Sequence, residues 1–128
     1  MTIVIGYLPA PEGEAALDVG FAEAKLRGLD VVVINSPRRG ADGVTALSAE
    51  DIAALEARGT ESGVGVTVLQ PGHEDDLVGV FNDTVAEYGS TMIVIGLRKR
   101  TAVGKFILGS QAQRILLEAD VPVLTVKA

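Results

Sequence analysis

A chain of 128 residues that is 48% hydrophobic, 22% charged and free of Cys is expected to form one domain; these figures exclude disorder, a disulfide framework and a thiolate zinc site. Aromatic residues make up 4% and Trp is absent, so the core must be built from Val, Leu, Ile and Ala, which suits a parallel sheet covered by helices on both faces. The net charge of −6 argues against a general DNA or RNA binder, which needs a basic footprint, and no apolar run reaches the roughly 18 residues of a membrane span.

Thr2 to Tyr7 is a β-rich run with no basic flank, read as a strand and not as a signal peptide; the expected location is cytoplasmic. Glu12 to Leu26 is Ala-rich and helical, with Gly28 as its stop. Val31 to Ile34 is apolar at consecutive positions, the mark of a strand covered on both faces. A loop rich in Pro, Arg and Gly follows from Ser36 to about Leu47. Ser48 and Asp51 form a variant capping box, opening a second helix expected to end at Gly59. Val64, Val66 and Val68 alternate as a third strand, and Pro71-Gly72 breaks the chain.

The third helix is expected to begin near Glu74, Asp75 and Asp76, acids that favour a helix N-terminus through its dipole. Leu77, Phe81, Val85 and Tyr88 carry its buried stripe. Thr91 to Ile95 is the fourth strand, Gly96 to Gly109 a long connection, Ser110 to Ala119 the fourth helix and Val121 to Val126 the fifth strand. Single helices between strands imply right-handed crossovers and a parallel sheet.

In such a sheet ligands bind beyond the carboxyl ends of the strands, where strand order reverses. Two loops there have unusual composition: Gly6 to Gly13 after the first strand, and Gly96 to Ser110 after the fourth. The second lies in a stretch, Tyr88 to Leu117, with no acidic residue and with Arg98, Lys99, Arg100, Lys105 and Arg114. It ends at a helix start, whose first N–H groups lack internal partners and attract anions. Gly109 allows close approach to the backbone, and the Ser110 hydroxyl either donates to a phosphate or caps its own helix. The spacing is not that of a P-loop: with Gly104-Lys105 in the last places, Lys99 falls where its first Gly should be, and Phe106 replaces the magnesium-binding hydroxyl. No G-x-G-x-x-G follows the first strand. His73 is the single His, and no Ser-His-Asp set or metal cluster can be assembled.

Met92-Ile93-Val94-Ile95-Gly96, Val103-Gly104-Lys105, Leu108-Gly109-Ser110, Arg114-Ile115-Leu116 and Val121 to Val126 resemble the universal stress protein family, and the likeness covers the whole chain. The resemblance implies an open parallel five-stranded α/β sheet in the order 3-2-1-4-5, Rossmann-like and adenine nucleotide alpha hydrolase-like. It implies ATP or AMP as ligand, with magnesium accompanying a triphosphate, and a homodimer paired through the last strand, Val123 to Val126. Gly96, Gly109 and Ser110 match the spacing of the family's nucleotide signature. Two positions depart from it. Lys99 holds the second Gly position, where its ammonium either contacts a phosphate or fills the space. Leu8 stands where nucleotide-binding members usually carry an Asp. The implied site places adenine between Tyr7, Leu8 and Pro9 and the end of the second strand, Asn35 and Ser36. Phosphates fall over Gly96, Arg98, Lys99, Gly104, Gly109, Ser110 and Gln111. The competing readings are a nucleotide-independent dimeric interaction module and a slow ATP hydrolase; the chain is not expected to be an enzyme.

Overall fold

The computed structural model describes residues 1–35, 47–71, 76–99, 106–107 and 110–128. In chain order the elements are β1 (Thr2–Tyr7), α1 (Pro11–Arg27), β2 (Asp30–Asn35), α2 (Ala49–Ser62), β3 (Val66–Leu69), α3 (Leu77–Tyr88), β4 (Ser90–Lys99), β5 (Phe106–Ile107), α4 (Ser110–Glu118) and β6 (Val123–Lys127). Five of the strands form a parallel sheet in the spatial order β3-β2-β1-β4-β6. Counting parallel strands alone, this is the order 3-2-1-4-5. The short additional strand, β5, is antiparallel and pairs with the end of β4, Arg98 with Ile107 and Lys99 with Phe106.

Strand alternation divides the core between the two sheet faces. Ile3, Ile5 and Tyr7 point to one face with Val31 and Val33, where Ala16, Leu17, Phe21 and Ala24 of α1 and Leu55 of α2 cover them. Val4, Val32, Ile34 and Ile93 point to the other, beneath Val78, Phe81 and Val85 of α3 and Ile115 of α4. Central strands are therefore apolar at every position, as Val31 to Ile34 require. Each such fully buried side chain contributes roughly 1.5–3 kcal/mol.

Several boundaries differ from the sequence expectation. The second helix does not stop at Gly59 but runs to Ser62, and Gly63 (φ 72°) ends it. Gly59 serves packing instead: a Cβ there would lie 2.2 Å from Val66 Cγ2 and 2.6 Å from the Val64 carbonyl oxygen. The third strand starts at Val66, because the Val64 amide donates to Gly59 O (2.8 Å) in the helix cap. The Ser48–Asp51 capping box forms as expected, with both reciprocal bonds present.

The first turn of α3 holds no acidic residue. Asp76 is its N-cap residue but makes no side-chain cap bond, and its carboxylate pairs with Arg114 at 3.1 Å; Glu74 and Asp75 lie outside the described residues. Strand four runs past Ile95 to Lys99, because β5 supplies partners for its last residues, so the expected long connection contains a strand. The last strand starts at Val123, since Pro122 has no N–H to donate; its carbonyl accepts from Ile93 N (3.0 Å).

Candidate functional site

Strand order reverses between β1 and β4, which opens a crevice at their carboxyl ends. The chain leaving β1 turns tightly there. Leu8 O accepts from Ala10 N (2.8 Å), and Ala10 is extended at the N-cap of α1. Pro11 follows in the first helical turn, where its fixed φ is preorganised and its missing N–H costs nothing. Leu8 O presses on Gly13, where a Cβ would sit 1.8 Å away. The start of α1 is held equally closely to β4, because a Cβ on Gly96 would lie 1.9 Å from the Glu12 carbonyl oxygen. Gly96 thus admits the helix start to the end of the strand.

Two residues beyond Gly96, the half-exposed Arg98 places Nε 3.9 Å from Glu12 Oε1. Ser110 opens α4, and Gln111 is exposed in its first turn. Arg114, also on α4, is paired with Asp76 and with Glu118 (3.3 Å), and the Asp76 partnership raises its pKa. Among the described residues, Arg98 and Arg114 are therefore not free cations: carboxylates from α1, from the N-cap of α3 and from the end of α4 come to them.

On the α1–α2 side, Tyr7 is 8% exposed and belongs to the core, while its hydroxyl donates to Glu14 Oε1 at 3.0 Å. Burial first, and then the bond to the Glu14 carboxylate, push the phenol up to about 12. Arg58 of α2 pairs with Glu14 at 3.4 Å and with Asp18, and its guanidinium lies 5.3 Å from the centre of the Phe21 ring. Between these groups is a cavity of about 250 Å³ lined by Tyr7, Glu14, Leu47, Asp51, Leu55 and Arg58, among others. Tyr7 is thus both a packing residue and a cavity wall.

Asn35 lies opposite Tyr7 in the parallel register. It is fully buried, and its amide nitrogen donates to Gln70 Oε1 (3.2 Å), which also accepts from Leu47 N (2.8 Å). This clip joins the end of β2, the residue after β3 and the approach to α2. Leu8 is half-buried and Pro9 exposed. The structure therefore brings Tyr7, Leu8, Pro9 and Asn35 to one end of the sheet, with Gly96 and Arg98 at the same end of β4. Lys99 ends β4. Ser36, Gly104 and Gly109 lie outside the described residues, as does His73. Among the described residues no group of three His, Asp or Glu could hold a metal ion, and no helix is long and apolar enough to cross a membrane.

Sequence reasoning missed Glu12, Glu14, Arg58 and Gln70. The sequence places Glu12 in the loop that leaves the first strand and Glu14 in the helical run after it, with no role read for either carboxylate. Arg58 and Gln70 reach their partners only across the fold, so local pattern carried no signal for them.

The sequence model of the universal stress protein family matches residues 1–127. A universal stress protein of Mycolicibacterium smegmatis is 42% identical over 130 residues, covering 98% of this chain and 96% of that protein. A universal stress protein structure from Archaeoglobus fulgidus superposes with a TM-score of 0.78 at 29% identity, covering 99% of this chain and 98% of the other. A second structure from that organism, in complex with dAMP, gives 0.74 at 24% identity with the same coverage.

Proposed function

The chain belongs to the universal stress protein family, and from that premise we propose that it is a regulatory domain that binds an adenine nucleotide in the crevice between β1 and β4. The observation that carries this reading is the reversal of strand order there, which gathers the Tyr7–Pro9 turn, Gly96 and Arg98 at one end of the sheet. The dAMP complex of a protein with the same fold supports adenine as the base.

In this reading the half-buried Leu8 and exposed Pro9 offer apolar surface to the adenine, which needs no charge to be recognised. Asn35 acts through its backbone, since its amide nitrogen is held by Gln70. Phosphates, of ATP or AMP, take Arg98, Lys99, Gln111 and the Ser110 helix start; Gly104, Gly109 and Ser36 enter from the sequence alone. Magnesium would be carried by a triphosphate and water. The role in this reading is binding.

Calorimetry on protein stripped of ligand tests this. Heat of binding and a thermal shift with AMP or ATP are expected. No heat and no shift at millimolar nucleotide would refute nucleotide binding.

A second reading, a dimeric interaction module that needs no nucleotide, is favoured by β6. Its residues Val123, Leu124 and Val126 are apolar yet only half-buried, and among the described residues the strand pairs on one side, with β4. An apolar edge of this kind is a pairing surface. A homodimer joined through Val123 to Val126 fits either reading.

A further inference from the structure

Resting on the nucleotide reading above, we propose that Glu12 sets the phosphate selectivity of the crevice and holds it to adenine nucleotides of low charge. The backbone of Glu12 is packed directly on β4, because its carbonyl oxygen fills the space beside Gly96 that a Cβ would need. Its side chain is also confined: it is 13% exposed, against 55% for Glu14 two residues later on the same helix. The carboxylate therefore stays at the carboxyl end of β4, with Oε1 3.9 Å from Arg98 Nε.

Two consequences follow from that placement. Arg98 is partly neutralised before any ligand arrives, so a phosphate must share or displace an existing partner. In addition, the Glu12 carboxylate lies at the carboxyl end of β4, the end at which the phosphates are proposed to bind, and little water reaches it to screen its charge. A monophosphate meets this repulsion once and recovers part of it from Arg98. Each further phosphate charge brought within about 7 Å of the carboxylate weakens binding by a factor of about three even at the dielectric constant of water. ATP carries two more phosphates than AMP, so the penalty against it compounds to about tenfold.

The test measures affinities of ATP, ADP, AMP and adenosine for the wild-type chain and for Glu12→Gln, by calorimetry in magnesium-free buffer of low ionic strength. Glu23→Gln, on the same helix but paired with Arg27, removes the same net charge elsewhere and serves as the control. Glu12→Ala is the second variant should the Gln form fold poorly. The expected result is a graded gain in the Glu12 variants: about threefold for AMP, about tenfold more than that for ATP, and little for adenosine. The gain should shrink in high salt and be absent from Glu23→Gln. An equal gain for every ligand, a gain matched by the control, or a wild-type chain that prefers ATP to AMP tenfold overturns the selectivity role while leaving nucleotide binding intact. If neither the wild-type chain nor any variant binds an adenine nucleotide, both proposals fall together.

Discussion

Replacing Gly96 by Ala tests whether α1 is seated on the end of β4 as closely as described. The new Cβ would lie 1.9 Å from the Glu12 carbonyl oxygen, 2.6 Å from its carbon and 3.0 Å from its Cα. Carbon and oxygen normally approach no closer than about 3.3 Å, so the first turn of α1 must withdraw by more than about 1 Å. The obstacle is helix backbone, which cannot rotate aside as a side chain can, and the helix is fixed further along by Ala16, Leu17 and Phe21 in the core. Overpacking of this kind costs about 1–3 kcal/mol. For a chain of this length that lowers Tm by about 3–15 °C.

Gly65→Ala is the internal reference. Its Cβ would come no closer than 3.0 Å to another atom, and that neighbour is the carboxyl end of the Asp30 side chain. The Asp30 side chain can turn toward solvent, losing at most its bond from Gly65 N (3.0 Å), about 1 kcal/mol. Urea unfolding followed by far-UV circular dichroism reads both variants, and equal m-values would show that the two chains expose the same surface. If Gly96→Ala is as stable as Gly65→Ala, the helix start does not occupy the space beside Gly96, and the confinement of Glu12 fails with it.

Tyr7 gives a prediction in pH. The chain has two Tyr, so Tyr88→Phe leaves Tyr7 alone in the ultraviolet titration, and its absorbance should rise near pH 12. Because the folded pKa stands above the unfolded value of 10.0, the folded chain holds the phenol proton more tightly. That stabilisation is complete below about pH 10 and is lost as pH rises toward 12. Glu14→Gln, which removes the accepting carboxylate, should move the midpoint down; a folded protein whose phenol finishes titrating near pH 10 contradicts the burial and the Glu14 bond. Light scattering checks the edge strand: the chain should run as a dimer at micromolar concentration, and Leu124→Lys should shift it toward the monomer mass, whereas a wild-type monomer counts against pairing through β6.

Much of this protein was legible from its sequence because the information was local. Consecutive Val31 to Ile34 announced a strand buried on both faces, and it lies in the sheet beneath helices on either side. Gly28 marked a helix end because it takes the left-handed conformation that other residues resist. Ser48 and Asp51 specify a helix start within four residues, and their capping box forms. The alternation of strand and helix, with the residues that resemble the universal stress protein family, determined the class and order of the sheet.

What only the tertiary structure decided is how distant segments meet. Gly59 looks like a helix stop by composition, yet it is a point of close approach to β3, a fact that depends on residues Val64 and Val66 folding back onto it. The acid-free stretch around Arg98 reads as basic along the chain, but Glu12 and Asp76 reach Arg98 and Arg114 from other elements. Charge in a sequence is counted along one dimension, whereas Coulomb attraction and steric exclusion act through space. The partner of Arg98 was therefore fixed only when α1 closed onto Gly96.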